Sequence, residues 1–418
     1  SGLSGQLANV PLRMSEGQGR WSFAGGNLAL TSQIKIADAS SEPRFYPLLS
    51  PDFTLNMADG LISARGTLAH PARGVEIGNV TLSHRLSSGT GEAVIAIPGL
   101  TFGQAIQPEE LTPVTLGVIA NVEGAVSGEG LIKWSPDGVT SSGEFGSGNL
   151  NMAAAFGPVA GLRGRVSFSD LLNLETGSVQ TVSLASINPG IAVTDGVISF
   201  RLLPGLKAQI EGGRWPFAGG WLVLEPTVLD LNQAAERRLT FRVEDLDAAR
   251  FIAAMEFENI SATGRFDGTL PMVFDARGGR IEGGRLVAQG GGTLSYVGEV
   301  SNGDLGMMSR IAFDALKALK YDRLSIDLDG EIDGDVITRI RFAGVNQAPI
   351  EGVRAKLPIP IRVTGLSNFP FIFNVTITAK FRQLFEMARS FNDPSVLINR
   401  IVPQLEPVPG EKARPVQP

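Results

Sequence analysis

Residue types that commonly carry out catalysis or bind metals are scarce in this sequence. It contains no cysteine, which excludes thiolate chemistry and disulfides, and only two histidines. His70 precedes Pro71 in a predicted turn and His84 lies near the end of a predicted strand, so neither has a partner at metal-ligand spacing. We expect both to be surface imidazoles. The motifs of serine hydrolases, phosphate-binding loops and zinc peptidases are absent. The sequence therefore predicts a protein that is not an enzyme and has neither a cofactor nor a metal site.

A run of acidic residues near position 330 is the cluster that most resembles a metal site. The carboxylates alternate with apolar residues and are Asp327, Asp329, Glu331, Asp333 and Asp335. Five carboxylates on one face of a hairpin could bind calcium. The same alternation is also typical of the solvated face of a hairpin whose other face is buried. We favour the solvated face.

A twelve-residue motif occurs twice in the chain. The segments Gly19–Leu30 and Gly213–Leu224 are identical at nine of twelve positions, and each has a Trp-x-Phe pair followed by Gly-Gly. Glycines that permit positive φ between two apolar runs predict a hairpin in a repeating β-structure. The aromatic pairs, Trp21/Phe23 and Trp215/Phe217, could form a ligand cage, but packing against the neighbouring turn is the favoured interpretation.

Composition limits the possible partners. Of 418 residues, 43% are hydrophobic and 19% charged, with 51 glycines and 25 prolines, which is typical of a β-rich, ordered chain. The net charge of −6 disfavours nucleic acid as a partner. Neither a signal peptide nor an apolar stretch long enough to span a membrane is present. Because the chain opens within a strand-like pattern, we expect a fragment of a longer protein whose anchor lies upstream.

Short alternating runs predict a mainly β fold, an elongated, curved, largely antiparallel sheet that forms a hydrophobic groove, with a few short amphipathic helices in the C-terminal half. We divide the chain into a repeating β-groove at 1–210 and a second groove at 211–346, with helices at about 247–257 and 304–320. A terminal strand and amphipathic helices follow at 347–402, with predicted helix at about 380–402, and then a proline-rich tail at 403–418.

An apolar face on so many strands has to be covered. Either a second layer closes over it as a sandwich, or the sheet curls into a trough that holds apolar ligand, each buried methylene contributing about 0.8 kcal/mol. Alternation predicts the groove-lining residues, and core packing would explain any one of them equally well. They are Leu28, Leu30, Ile34, Val80, Leu82, Ile198, Phe200, Leu222, Leu224, Phe266, Leu294, Tyr296, Leu324, Ile326 and Leu328.

The region from Glu211 to about Asn346 resembles a known family. The similarity lies in Leu246–Ala248 before a short helix, in Ile260–Pro271, in Gly283–Leu286 and in Leu319–Gly330. This pattern of glycines and apolar positions is similar to the C-terminal region of the YdbH-like proteins, a branch of the AsmA/TamB superfamily. It covers about a third of the chain.

The resemblance implies a bridge-like lipid transfer protein that shields phospholipid acyl chains in a continuous groove. Such a protein would act in the periplasm of a diderm bacterium, between an inner-membrane anchor missing from this chain and the outer membrane. A small outer-membrane lipoprotein would add a strand at the C-terminal end. The family has no catalytic residues to transfer.

Other β-proteins compete with this interpretation. A secreted β-solenoid or adhesin without lipid cargo would also have repeated strands and glycine turns, although its repeats would be shorter and more regular. A carbohydrate-active or hydrolytic β-protein would need paired carboxylates in a pocket. Bound lipid would separate the groove from both.

Overall fold

The computed structural model describes residues 3–6, 12–116, 118–154, 157–188, 193–231, 236–254, 260–275, 278–296, 317–332, 334–347 and 370–380. These residues form 23 strands of an antiparallel sheet, one α-helix and two 3₁₀ turns, Pro108–Glu110 and Pro113–Thr115. The mainly β, antiparallel class is therefore confirmed. No helix within the described ranges is long and apolar enough to cross a bilayer.

Strands make up most of the described residues. In chain order they are β1 (Leu3–Gln6), β2 (Leu12–Ala24), β3 (Asn27–Asp38), β4 (Leu48–Ala58), β5 (Leu61–Ala69), β6 (Glu76–Arg85), β7 (Thr90–Phe102), β8 (Ile119–Ser135), β9 (Gly138–Ala154), β10 (Gly157–Phe168), β11 (Gln180–Ile187), β12 (Val193–Leu203), β13 (Lys207–Phe217), β14 (Gly220–Leu224), β15 (Thr227–Asp230), β16 (Arg237–Asp247), β17 (Ile260–Ala262), β18 (Arg265–Asp275), β19 (Gly278–Ala288), β20 (Gly292–Tyr296), β21 (Leu319–Glu331), β22 (Asp335–Asn346) and β23 (Pro370–Lys380). The helix, α1, spans Ala248–Ala254.

The chain folds as two units. Unit 1 comprises Ser1–Phe217, Trp221–Arg242 and Pro271–Gly279, and unit 2 comprises Ala218–Gly220, Val243–Leu270 and Arg280–Pro418. In unit 1 each strand from β1 to β12 pairs antiparallel with the next strand along the chain. Register shifts interrupt several of these pairs, as between Gly124 and Ser127 in β8, and such bulges bend a strand.

Unit 2 is built around β21. Its first residues pair with β20 and its later ones with β19, while β22 runs along its other side and β23 pairs with β22. Among the described strands β23 has a register partner only in β22, so the sheet does not close.

Helix α1 confirms the helix predicted at about 247–257, of which residues 255–257 lie outside the described residues. Asp247 caps it, because its Oδ1 accepts a 3.0 Å hydrogen bond from the amide of Arg250. This hydrogen bond, outweighing burial, holds the pKa of the Asp247 carboxyl below its ordinary value.

The other predicted helices fall largely outside the described residues. Of the helix predicted at 304–320, residues 304–316 lie there, and its predicted end is wrong because Leu319 and Lys320 begin β21. Leu319 lies opposite Leu294 and Asn346 on neighbouring strands, and this pairing overrides the helical spacing. At 380–402, Lys380 ends β23 and the remainder lies outside the described residues.

The two copies of the repeated motif turn at different places. In the first copy the turn is Gly25-Gly26, with φ of 59° and 84°, whereas in the second it is Ala218-Gly219, with φ of 44° and 79°. The predicted strand-turn-strand order is correct in both copies. The turn has nevertheless moved by one position, although the two Ala-Gly-Gly segments are identical.

Tyr321 of unit 2 combines a buried aromatic ring with a hydrogen-bonded hydroxyl. Its side chain is fully buried and its hydroxyl donates a 2.6 Å hydrogen bond to the carbonyl oxygen of Thr263. A side chain at Gly264 or Gly292 would overlap this hydroxyl, so both glycines leave room for it. Burial raises the pKa of the Tyr321 phenol.

We expect Tyr321→Phe to lower the free energy of unfolding by about 1 kcal/mol, since the hydrogen bond from the buried Tyr321 side chain to the Thr263 carbonyl is lost. A raised pKa favours the neutral phenol in the folded state, so its contribution is complete below the unfolded pKa of about 10 and is lost as the pH rises through the higher folded value. Urea unfolding between neutral pH and pH 11 would test this. Parallel pH profiles of the wild type and Tyr321→Phe would contradict it.

Candidate functional site

The strand registers of unit 1 define an apolar row that crosses seven strands. Residues directly opposite each other on paired strands point to the same face. Starting at β2, each residue of this row lies opposite the next, and we call the face that carries it the inner face. The row consists of Trp21, Leu30, Leu55, Ala64, Leu82, Ala93 and Ile132.

The predicted lining residues of unit 1 follow this face. Leu28, Leu30 and Ile34 alternate on β3, and Val80 and Leu82 on β6, all in phase with the row. The registers of β8 to β12 extend the inner face to Ile198 and Phe200. The residues that lie opposite each other along this path are Gly130 and Gly143, Gly143 and Phe168, Gly164 and Val182, and Val182 and Ile198. Leu222 and Leu224 on β14 are buried.

The inner face of unit 1 is concave. Leu12 on β2 packs against the buried cluster of Ala93, Ile132 and Trp134 on β7 and β8. Strands β2 and β7 are five spacings apart, about 24 Å in a flat sheet. The contact therefore requires the sheet to curl until its two walls meet across the inner face. This agrees, within unit 1, with the predicted trough.

Unit 2 has an apolar face of its own. Leu324, Ile326 and Leu328 alternate on β21, where Ile326 lies opposite Leu286 on β19 and Ile340 on β22. Leu294 lies opposite Leu319, and the ring of Phe266 is 6.5 Å from that of Tyr321. The six lining residues predicted in unit 2 lie on strands β18, β20 and β21: Phe266, Leu294, Tyr296, Leu324, Ile326 and Leu328.

Most of the predicted residues are neither buried nor fully exposed. The partly exposed ones are Leu28, Leu30, Val80, Leu82, Ile198, Phe200, Leu294, Tyr296, Ile326 and Leu328. The buried ones are Ile34, Leu222, Leu224, Phe266 and Leu324. The inner side chains of a closed sandwich would be excluded from solvent throughout. Apolar faces that stay partly open to solvent can accept an apolar ligand.

Arginines form ion pairs with two carboxylates of the acidic run on the opposite face of unit 2. Asp327 lies 3.1 Å from Arg341 and 3.7 Å from Arg285, and Asp329 lies 3.6 Å from Arg339. These carboxylates alternate with Ile326 and Leu328, as predicted for an outer face, while Asp333 lies outside the described residues. Within the described part of the chain no three His, Asp or Glu side chains are grouped to hold a metal.

His84 lies on the inner face, and the prediction of a surface imidazole is wrong for it. It is partly buried, in register with Ile62 and Gly91, and its Nδ1 accepts a 3.1 Å hydrogen bond from the indole Nε1 of Trp134. Sequence reasoning missed this pair because its members are fifty residues apart on strands that are not neighbours. His70 lies in the predicted turn, where its Nδ1 accepts from the amide of Arg73 at 3.1 Å.

The repeated aromatic residues have different environments in the two copies. Trp215 is fully buried, lies 6.2 Å from the ring of Phe241, and occupies the space that a side chain at Gly196 would need. Trp21 and Phe23 are 71% and 60% exposed. The packing interpretation is therefore correct for Trp215 and wrong for the first copy, whose aromatic rings extend the apolar inner face towards solvent.

The comparison with known families extends the resemblance to nearly the whole chain. The sequence model of the YdbH-like family, described as intermembrane phospholipid transport protein YdbH, matches residues 1–402. The chain belongs to the YdbH-like family. No curated protein and no solved structure matches it.

Membership in the YdbH-like family indicates lipid transfer as the general function of the chain. The family description is one of lipid transfer rather than of catalysis, and transport between membranes implies the cell envelope. The AsmA-like resemblance predicted for residues 211–346 is thus confirmed and extends to the N-terminal part.

Proposed function

We propose that the chain shields phospholipid acyl chains on the apolar faces of both units while lipid moves between the inner and outer membrane. The observation that carries this proposal is the inner row of unit 1, seven aligned apolar positions on a concave face, of which Trp21, Leu30 and Leu82 remain accessible. An acyl chain of about 16 carbons gains about 13 kcal/mol on leaving water, so a face of this kind offsets most of the cost of extracting a lipid.

The distribution of charge supports the same proposal. Every second residue from Leu28 to Ile36 on β3 and from Val80 to His84 on β6 lies on the inner face. The imidazole of His84 is the one ionisable group among these positions. The outer face of unit 2 carries ion pairs such as Asp327–Arg341. Ionised groups on the inner face would lose hydration against an acyl chain, and their placement outside avoids this cost.

In this proposal the protein acts in the periplasm of a diderm bacterium. The inner membrane is reached through a segment outside this chain, and the C-terminal end lies near the outer membrane. Strand β23 pairs with β22 along one side, and its other edge would accept a strand from a small outer-membrane lipoprotein. No catalytic step is involved.

Native mass spectrometry of detergent-free protein, followed by extraction and lipid analysis, tests the proposal. We expect bound phospholipid at a stoichiometry above one, because two apolar faces are available. The matched control is the same protein after delipidation and incubation with phospholipid vesicles, which should restore the bound mass. A well-folded protein that carries no lipid before or after this incubation would refute lipid transfer by these units.

A further inference from the structure

Three loops of unit 1 meet over the inner face, and we call them together the strap: residues 39–47, 103–116 and 169–176. The first two follow β3 and β7, and the third follows β10. In an antiparallel meander, the connections after odd-numbered and even-numbered strands lie at opposite ends of the strands. Loops 39–47 and 169–176 therefore start from opposite rims of unit 1, and their strands are seven spacings apart, about 34 Å in a flat sheet.

A hydrogen bond nevertheless joins the two rims. Arg44 Nη2 donates to Asn173 Oδ1 at 2.9 Å. Asn173 is held in place by Asp170, whose Oδ2 accepts from the Asn173 amide group at 2.6 Å. Burial raises the pKa of Asp170, but hydrogen bonds from Ser141 and Asn173 outweigh it and hold the pKa below its ordinary value. Asp170 thus fixes the orientation of the Asn173 side-chain amide that accepts the hydrogen bond from Arg44.

The loop on one rim is anchored to the inner face itself. Leu172 packs against the cluster of Ala93, Ile132 and Trp134, and Leu171 fills the space above Gly130. Both contacts lie on the face defined by the inner row. Residues 169–176 therefore fold inward over the trough rather than away from it.

The loops on the other rim are anchored in the same way. Ile106 is fully buried in the cluster of Leu68, Ile77 and Leu100. The Thr112 hydroxyl donates to the carbonyl oxygen of Arg44, and the Tyr46 amide donates to the carbonyl oxygen of Leu111 at 2.8 Å. Loop 103–116 thus supports loop 39–47 in its reach across the mouth of unit 1.

We propose that the strap is a gate across the open side of unit 1, which has to open before a phospholipid headgroup can pass. This inference rests on the proposed function. A lipid whose chains lie in a trough projects its headgroup through the open side, and the Arg44–Asn173 contact spans that side. An exposed hydrogen bond favours the closed contact only about two- to tenfold, so the gate opens readily while its apolar anchors stay in place.

Reversible cross-linking tests the gate. The chain has no cysteine, so Arg44→Cys with Asn173→Cys provides a single pair for a short, reducible bis-methanethiosulfonate linker. The readout is the exchange of fluorescent phosphatidylethanolamine between the protein and vesicles of phosphatidylethanolamine and phosphatidylglycerol. We expect the linker to slow exchange at least about tenfold and a reductant to restore it, because the open state is removed from the equilibrium.

The matched control joins strands that are already neighbours. Thr181 and Ser199 lie opposite each other on β11 and β12, with their hydroxyls 3.1 Å apart, so linking Thr181→Cys to Ser199→Cys does not cross the mouth. We expect its exchange rate to change by less than about twofold, since no opening motion is blocked. Circular dichroism melting confirms that both variants fold.

The outcomes are distinguishable. Failure of the Arg44→Cys, Asn173→Cys variant to form an intramolecular link refutes the strap geometry, because the two rims are then not adjacent. A link that leaves exchange unchanged refutes the gate but not lipid transfer. A protein that binds no phospholipid before linking refutes the proposed function and the gate together.

Discussion

Aspartate at both Leu30 and Leu82 is expected to abolish phospholipid binding by unit 1. The two side chains belong to the inner row, connected through Leu55 and Ala64, and are partly exposed on the concave face. An ionised carboxylate there would have to lose its hydration against an acyl chain. We expect the affinity of the Leu30→Asp, Leu82→Asp variant for phospholipid from vesicles to fall at least about a hundredfold. Each substitution removes an apolar contact with the acyl chain and adds the cost of dehydrating a carboxylate.

The neighbouring residues provide the control. Thr31 and Thr81 are exposed on the outer face, connected through Thr54 and Arg65, so Thr31→Asp with Thr81→Asp adds the same charge one residue away. We expect this variant to load lipid like the wild type, measured by extraction and lipid analysis of protein incubated with vesicles. Equal loading by the inner and outer variants, with both shown to be folded by circular dichroism, would refute the inner face as the binding surface.

Trp215→Ala is expected to be the most destabilising substitution in the repeated motif. The indole is fully buried beside Phe241 and over Gly196, so truncation leaves a large cavity. We expect the free energy of unfolding of unit 1 to fall by about 3–5 kcal/mol. Urea denaturation followed by far-UV circular dichroism measures this without relying on the fluorescence of the tryptophan that is removed.

The matched substitution is Trp21→Ala, at the same position of the first copy. That side chain is 71% exposed, so we expect a change within about 0.5 kcal/mol, as for most surface substitutions. Trp21→Ala should instead reduce lipid loading, because Trp21 begins the inner row. Similar unfolding curves for the two variants would show that the difference in burial has no energetic consequence.

Local patterns in the sequence predict the strands and the face on which each side chain lies. Alternation alone places Leu28 and Leu30 in phase on β3 and separates Ile326 from Asp327 on β21. This succeeds because side-chain direction in a strand has a period of two residues and does not depend on distant parts of the chain.

Contacts between residues that are far apart in the sequence cannot be predicted from such local patterns. The bond between His84 and Trp134 depends on how far the sheet curls, which no short window encodes. Trp21 and Trp215 lie in nearly the same local sequence but differ in exposure, since Phe241 and Gly196 decide the burial of the second one. Leu319 fits a helical pattern in the sequence but lies in a strand, because its partners on the neighbouring strands are also far away in the sequence.

The neighbour-to-neighbour pairing of β1 to β13 has a consequence for the order of folding. Every strand of this meander finds its partner in the segment just before or after it, so a chain that emerges from its N-terminus can add one hairpin at a time to a growing edge. The bond from Arg44 to Asn173 spans 129 residues and seven strands, so it has to wait until β10 has been added. The trough of unit 1 is thus open while its first strands assemble, and its mouth can be bridged only after β10 is in place.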